Sequence, residues 1–380
     1  NSGGGAIVMR GKSYAANTTW ASWGMGFWDL TTGAINSGTG TILLDGFSQS
    51  IGGTYNSGLF SNGALTITSA NTTADAIRMI GKSTGTSGDA WGIEAESALS
   101  VLATGDGGGI TISTSQQVAD NYDAVFRGET NILAKNGPIQ LLGKQDGGVA
   151  NGRWFTGSNF YLGSKASSAV PNSSSNIVIQ YDKFDFPGTK YIATTGTINF
   201  QPASDSFGQE VFSSWFNWNQ NSQTMSGLTI GKIGNTANVT HQTNAITVAG
   251  PISFYGGIVA VNQNLTSTAT GDIFLKGVTG GNQDVYLSSG YTINKTAGTG
   301  TLTLQGNGGT TIAGSVSATS SAKLNTVLWS DYDNTNEAGV RIGGTISTNG
   351  GEVWLGGSSS NGGSSTWKGL TVGDGPSIGS

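Results

Sequence analysis

Gly250-Pro-Ile-Ser-Phe254, Gly271-Asp-Ile-Phe-Leu275 and Gly300-Thr-Leu-Thr-Leu304 share one pattern: a glycine, then large apolar side chains at every second position. Period-two alternation puts Ile252 and Phe254, Ile273 and Leu275, or Leu302 and Leu304 on a single face of a strand. Small or polar residues occupy most of the other face. Glycine or asparagine at the ends supplies the positive φ that a tight corner requires. Working outward, the same pattern recurs in Gly40-Thr-Ile-Leu-Leu-Asp-Gly46, Gly63-Ala-Leu-Thr-Ile-Thr68, Gly109-Ile-Thr-Ile-Ser113 and Gly137-Pro-Ile-Gln-Leu-Leu-Gly143. It continues in Asn176-Ile-Val-Ile-Gln180, Gly196-Thr-Ile-Asn-Phe200, Ala245-Ile-Thr-Val248 and Gln283-Asp-Val-Tyr-Leu287. A strand of about four or five residues cannot bury its apolar face alone, whereas stacked rungs can use one another as the other half of a core. The expected fold is all-β, a right-handed parallel β-helix with irregular loop insertions. An antiparallel sandwich and a propeller are the alternatives. Against the propeller, no Trp-Asp blade signature occurs; against the sandwich, Asn-Gly turns are scarce (Asn62-Gly63, Asn136-Gly137, Asn349-Gly350).

A longer repeat is also visible. Gly11-Lys12-Ser13, Trp23-Gly24 and Gly40-Thr-Ile42 match Gly81-Lys82-Ser83, Trp91-Gly92 and Gly109-Ile110. One rung is read as about 20–30 residues, so this offset spans two or three rungs. The organisation expected is one continuous solenoid over 1–380. Its first rungs are 1–143, rungs with long aromatic and polar insertions 144–226, regular rungs 227–318, and closing rungs 319–380.

Composition narrows the function. Of 380 residues, 63 are glycine and 6 proline, and the glycines have no three-residue register, which excludes collagen. Charged residues are 10%, against about 25% in ordinary globular domains. Glycine at this density disfavours helices, at ~1 kcal/mol for each interior position. With no cysteine there is neither a disulfide framework nor a thiolate metal site. A net charge of −5 gives no basic face for nucleic acid, and no apolar run approaches the ~20 residues of a membrane helix. The opening Asn-Ser-Gly-Gly-Gly and the glycine-rich close read as the ends of an excised piece of a longer chain.

The rungs, together with Gly227-Leu-Thr-Ile-Gly231, Ala249-Gly-Pro-Ile-Ser-Phe-Tyr-Gly-Gly257, Thr348-Asn-Gly-Gly-Glu-Val-Trp-Leu-Gly-Gly357 and Thr366-Trp-Lys-Gly-Leu-Thr-Val-Gly373, resemble the repeat region of filamentous-haemagglutinin-like exoproteins. That resemblance implies a right-handed β-helical stalk of a giant bacterial surface protein. It further implies cell adhesion, an extracellular or cell-surface location, an outer-membrane secretion partner, and neighbouring repeats of a longer parent chain. The Asn-Pro-Asn-Gly type secretion motif is absent, so the chain reads as an internal stalk segment.

Little in the sequence carries catalysis. The sole histidine, His241 in Asn238-Val-Thr-His-Gln242, reads as a surface turn residue, and no Gly-x-Ser-x-Gly elbow accompanies it. No metal and no cofactor is expected. Carboxylates cluster at Asp182-Lys-Phe-Asp185, the pair that a polysaccharide-degrading β-helix enzyme would use, and at Asp331-Tyr-Asp-Asn-Thr-Asn-Glu337. The second is loosely like a calcium loop but lacks EF-hand spacing, and reads as a solvated corner. Gly11-Lys-Ser13 and Gly81-Lys-Ser83 lack the upstream glycine of a phosphate loop. Aromatic residues are the remaining lead: sugars stack on rings whose polar neighbours fix the hydroxyls. Trp215, Phe216 and Trp218, with Trp154 and Tyr161, are the candidate glycan or surface contacts, weighed against packing in a core. Trp20, Trp23 and Trp28 are expected to pack on the first rungs. Sequons stand at Asn17, Asn71, Asn172, Asn238, Asn264 and Asn294. The function expected is a structural and adhesive stalk segment, with a self-assembling filament subunit or a polysaccharide-degrading enzyme as alternatives.

Overall fold

The computed structural model describes residues 1–14, 21–49, 55–85, 90–118, 121–144, 152–333, 339–357, 370–372 and 377–379, and for Gly357 and the last two segments the backbone alone. Trp20, Asn17 and most of the Thr366–Gly373 motif lie outside these. Two compact units are distinguished, one of residues 1–204 and 215–223, the other of 205–214 and 224–380. Both are almost entirely parallel β-sheet, as expected of an all-β parallel β-helix. The helical content described is two short 3-10 turns, Ser213–Trp215 and Gln220–Ser222, and no described helix is long and apolar enough to cross a membrane.

In the first unit, strands recur in threes. Ile7–Ser13, Ser22–Phe27 and Thr32–Asn36 are followed by Ile42–Ser48, Asn56–Ser61 and Ala64–Ser69, then by Ile77–Ser83, Ala90–Ala95 and Leu99–Ala103. Each member pairs in parallel with its counterpart in the next set, giving three sheets. Three further sets follow, at Ile110–Ser115, Ala124–Phe126, Thr130–Ala134; Ile139–Leu142, Arg153–Thr156, Phe160–Gly163; and Ile177–Gln180, Lys183–Asp185, Lys190–Ile192. The register of the first sheet stacks Ile7, Ile42, Ile77, Ile110, Ile139, Ile177 and Ile198 in one column. From Ile42 onward these side chains are buried. The second unit repeats the scheme, with Leu228, Ile252, Ile273 and Leu302 in one column and Val239, Val259 and Val285 in another.

Every alternating segment quoted from the sequence contains a strand. The long correspondence spans two sets, since Gly11 pairs with Gly46 and Gly46 with Gly81. Early sets are therefore longer than the 20–30 residues expected: Ile7 and Ile42 are neighbours in register. Within 144–226, some aromatic runs are themselves strands: Arg153-Trp-Phe155 lies in Arg153–Thr156, and Tyr161 in Phe160–Gly163, whereas the run of Trp215, Phe216 and Trp218 begins in the Ser213–Trp215 3-10 turn.

Glycine decides how closely the first and second sheets approach. A Cβ on Gly92 would stand 2.7 Å from the Asp123 and Gly81 carbonyl oxygens and 2.9 Å from the Ser115 nitrogen. Backbones therefore touch where side chains would ordinarily interdigitate at ~10 Å between sheets.

Candidate functional site

The second sheet of the first unit carries a row of rings and guanidinium groups outside its interior columns. Register places Gly26, Phe60, Glu94, Val125, Phe155 and Asp185 side by side on successive strands. Gly26 has no Cβ to obstruct Trp23; one would lie 2.9 Å from its Cε3. The Trp23 indole therefore lies flat on Phe60, with centroids 4.4 Å apart and planes 5° apart, and Trp28 stacks on Trp23 at 4.9 Å. Trp28 is 53% exposed, so this stack presents an aromatic ring to solvent.

Further along, Arg127 stands 5.6 Å from the Trp91 ring and 5.9 Å from Phe155, within cation–π reach. Its Nε lies 3.7 Å from Glu94 Oε1, and Glu94 Oε2 accepts a hydrogen bond from Ser57 Oγ at 3.1 Å. The Trp91 indole donates to Asn121 Oδ1 at 3.2 Å. Arg153 lies 4.3 Å over Tyr122, whose hydroxyl donates to Asp185 Oδ2 at 2.8 Å. Burial, then this bond to Asp185, pushes the Tyr122 phenol above its ordinary pKa. Glu94, Trp91 and Phe60 are buried, and what reaches solvent is the Trp28 ring, the Arg127 and Arg153 guanidiniums and the Asp185 carboxylate, a mixture that suits polyhydroxylated surfaces. A second outward column, on the third sheet, aligns Ser100, Asn131, Tyr161 and Tyr191. Tyr161 and Tyr191 stack at 4.8 Å, and Lys165, paired with Glu129 at 2.7 Å, caps Tyr161 at 4.1 Å. That pairing holds the Glu129 carboxyl below its usual range.

The sequence candidates divide. Trp154, Phe216 and Trp218 are buried; Trp215 and Tyr161 are half-buried. Trp154 stands in the column after Ala124, whose small side chain leaves room for the indole. It meets Phe160 at 4.9 Å and Phe186 at 5.1 Å, both edge-on. Phe216 packs against Phe186, Phe200 and Trp218, and Trp215 against Phe184 at 5.5 Å. The structure does not bring Tyr161 into this interior cluster. Arg127, Arg153, Tyr122 and Trp91 were missed in the sequence. Their only common signal is an arginine within two residues of a ring in some of the segments, and what unites them is cross-strand register.

His241 is a correction. It is a buried strand residue in Val239–His241, in the column of Val261, Leu287, Ile312 and Ile342, because register overrides the polar letters around it. Its Nδ1 lies 2.9 Å from Ser213 Oγ and its Nε2 3.0 Å from the Asn264 carbonyl. Burial lowers its pKa to about 4, so it is neutral at pH 7. Asp182 and Asp185 do not converge: Asp182 is buried, bonded to Ser204 N and Oγ at 2.7 Å, while Asp185 is in the outward strip. Asp182 instead neighbours the buried Asp123, whose pKa is raised to about 8 by burial, with the Asp182 charge adding to it. In the acidic corner, Asp331 is buried rather than solvated, and Asn334, Asn336 and Glu337 lie outside the described residues. Among the described residues no group of three or more His, Cys, Asp or Glu could hold a metal ion. No family model, no curated protein and no solved structure matches this chain.

Proposed function

We propose that this chain is a structural and adhesive segment of a large extracellular bacterial surface protein of the filamentous-haemagglutinin-like kind. In this reading its strands close into a right-handed parallel β-helix. Recurring strand triplets and inward aliphatic columns support closure, and the right-handed sense follows the strong preference of parallel crossovers. An outer-membrane secretion partner, neighbouring repeats of a longer parent and a cell-surface glycan ligand belong to the same proposal.

The observation that carries the adhesive part is the strip of Trp28, Trp23, Phe60, Arg127, Phe155 and Arg153 on one sheet. Of these, Trp28 and Arg127 are exposed and Phe60 is buried beneath the stacked indoles, and aromatic rings and arginines are enriched at contact surfaces. The test is binding of the purified chain to immobilised cell-surface polysaccharide and to cell monolayers. Trp28→Ser and Arg127→Ser are each expected to weaken binding at least about tenfold, as truncation of an interface anchor does. Unchanged binding in both variants would reject the strip.

A filament subunit is the second reading. Among the described residues the Ile7–Ser13 strand pairs on one side alone, with Val8 and Met9 exposed, and such an edge can take a further strand from a neighbouring repeat or from a second copy. Concentration-dependent fibres in electron micrographs would favour it over single particles.

A further inference from the structure

In the second unit, Gly298–Gly306 and Ala322–Ser330 are nine-residue strands that run past the start of the preceding strand, Ile273–Gly277. Their extra residues pair with each other, Thr299 with Lys323 and Thr301 with Asn325, and step over the Thr270–Asp272 segment. The step encloses a groove of about 470 Å³, lined by Thr270, Asp272, Thr299, Thr301, Lys323 and Asn325, with Gly271 and Gly300. Among the described residues no apolar or aromatic side chain lines it.

Three features define what it can hold. Asp272 Oδ1 accepts from Thr301 N at 2.8 Å, which among the described residues leaves Oδ2 for a hydroxyl donor. Asn325 Oδ1 accepts from Glu352 N at 3.1 Å, which leaves its NH2 group to donate. Among the described residues nothing pairs with the exposed Lys323 ammonium. Against the glycines of the groove lies a second cation. The buried Lys295 donates to the Gly271 carbonyl at 2.7 Å and to Ser267 Oγ at 3.0 Å, and its Nζ is 3.2 Å from where a Gly300 Cβ would stand. The donors of Lys295 are committed within the fold, so the Lys323 ammonium is the group that favours an anion, while hydroxyls, amide and carboxylate oxygen favour a polyol. A single, half-engaged carboxylate is too few ligands for a divalent cation. Without a ring to stack on, a nucleobase has no platform here.

We propose that this groove binds a sugar unit bearing one carboxylate, a hexuronate, with the carboxylate at Lys323 and ring hydroxyls at Asp272, Asn325 and the threonines. The site stands on different residues from the aromatic–arginine strip and does not depend on it. With no aromatic face, affinity is in the millimolar range, about −4 kcal/mol.

The test is saturation-transfer NMR of the whole chain, titrated at low salt with galacturonate and glucuronate and, in parallel, galactose and glucose. Uronates are expected to bind at millimolar concentration, at least about tenfold tighter than the neutral sugars. Lys323→Ala should abolish that difference and Lys323→Arg retain it, with melting temperature unchanged in both, since the side chain is exposed. No uronate binding, equal binding of uronate and hexose, or a Lys323→Ala variant that still discriminates would each overturn the proposal.

Discussion

Asp123 holds a carboxyl group where water does not reach it, beside Asp182 and against the backbone N–H of Lys144. Its pKa in the folded chain, about 8, is above the unfolded value of 3.8, so folding takes up a proton. The associated stability is fully present below about pH 4 and is lost as pH rises through about 8. Asparagine mimics the protonated acid, so Asp123→Asn should melt several degrees above the parent at pH 9 and about level with it at pH 4, read by circular dichroism. Lys295 is the opposite case, a buried cation with several oxygen acceptors, including Ser267 Oγ and the Ala269 and Gly271 carbonyls. Lys295→Met keeps the volume but leaves those acceptors unpaired, and should cost about 2–4 kcal/mol in urea denaturation. Neighbouring Ile252 and Ser253 face opposite ways, Ile252 fully buried and Ser253 part-exposed. Ile252→Asp should cost more than about 4 kcal/mol or prevent folding, and Ser253→Asp less than about 1 kcal/mol. Equal melting of the two would refute the register.

At the level of elements, legibility differed between sheets. First-sheet strands such as Ile42–Ser48 alternate buried and part-exposed residues, and that alternation was readable. Second-sheet strands such as Asn56–Ser61 and Ala90–Ala95 are buried throughout, so no period-two signal exists. The glycines there look like loop residues but are contact points between backbones. Gly92→Ala should therefore cost more than about 3 kcal/mol, whereas Gly5→Ala, with nothing nearer than 3.9 Å, should be near neutral by thermal melting. Asparagine at the corners brackets one set to the next: Asn71 donates to the Thr39 carbonyl at 2.7 Å, Asn176 accepts from Thr197 N at 2.9 Å, and Asn264 accepts from Thr292 N at 2.9 Å. This explains why asparagine is abundant, and Asn71 and Asn264, both sequon residues, are already engaged.

Across the molecule, stability rests on apolar columns and ladder hydrogen bonds more than on charge. Charged residues are 10% of the chain, and ion pairs such as Arg10–Asp45 and Lys135–Asp106 are exposed on both sides. Such pairs contribute about 0–1 kcal/mol each and are screened by salt. Raising sodium chloride from about 0.05 to 0.5 M should thus move the urea midpoint very little; a large drop would show that charge carries more than the geometry implies. The sequence by itself determined that this chain is β-rich, that its strands are short, and which residues of the alternating strands, such as Ile42–Ser48, face the interior, because alternation and glycine spacing are local properties. Tertiary structure alone decided that Trp154 and His241 are interior, that Asp182 meets Asp123 rather than Asp185, and that Arg127 reaches Trp91 and Phe155. Those outcomes depend on which strand lies beside which and in what register, and parallel neighbours tens of residues apart leave no mark within either segment.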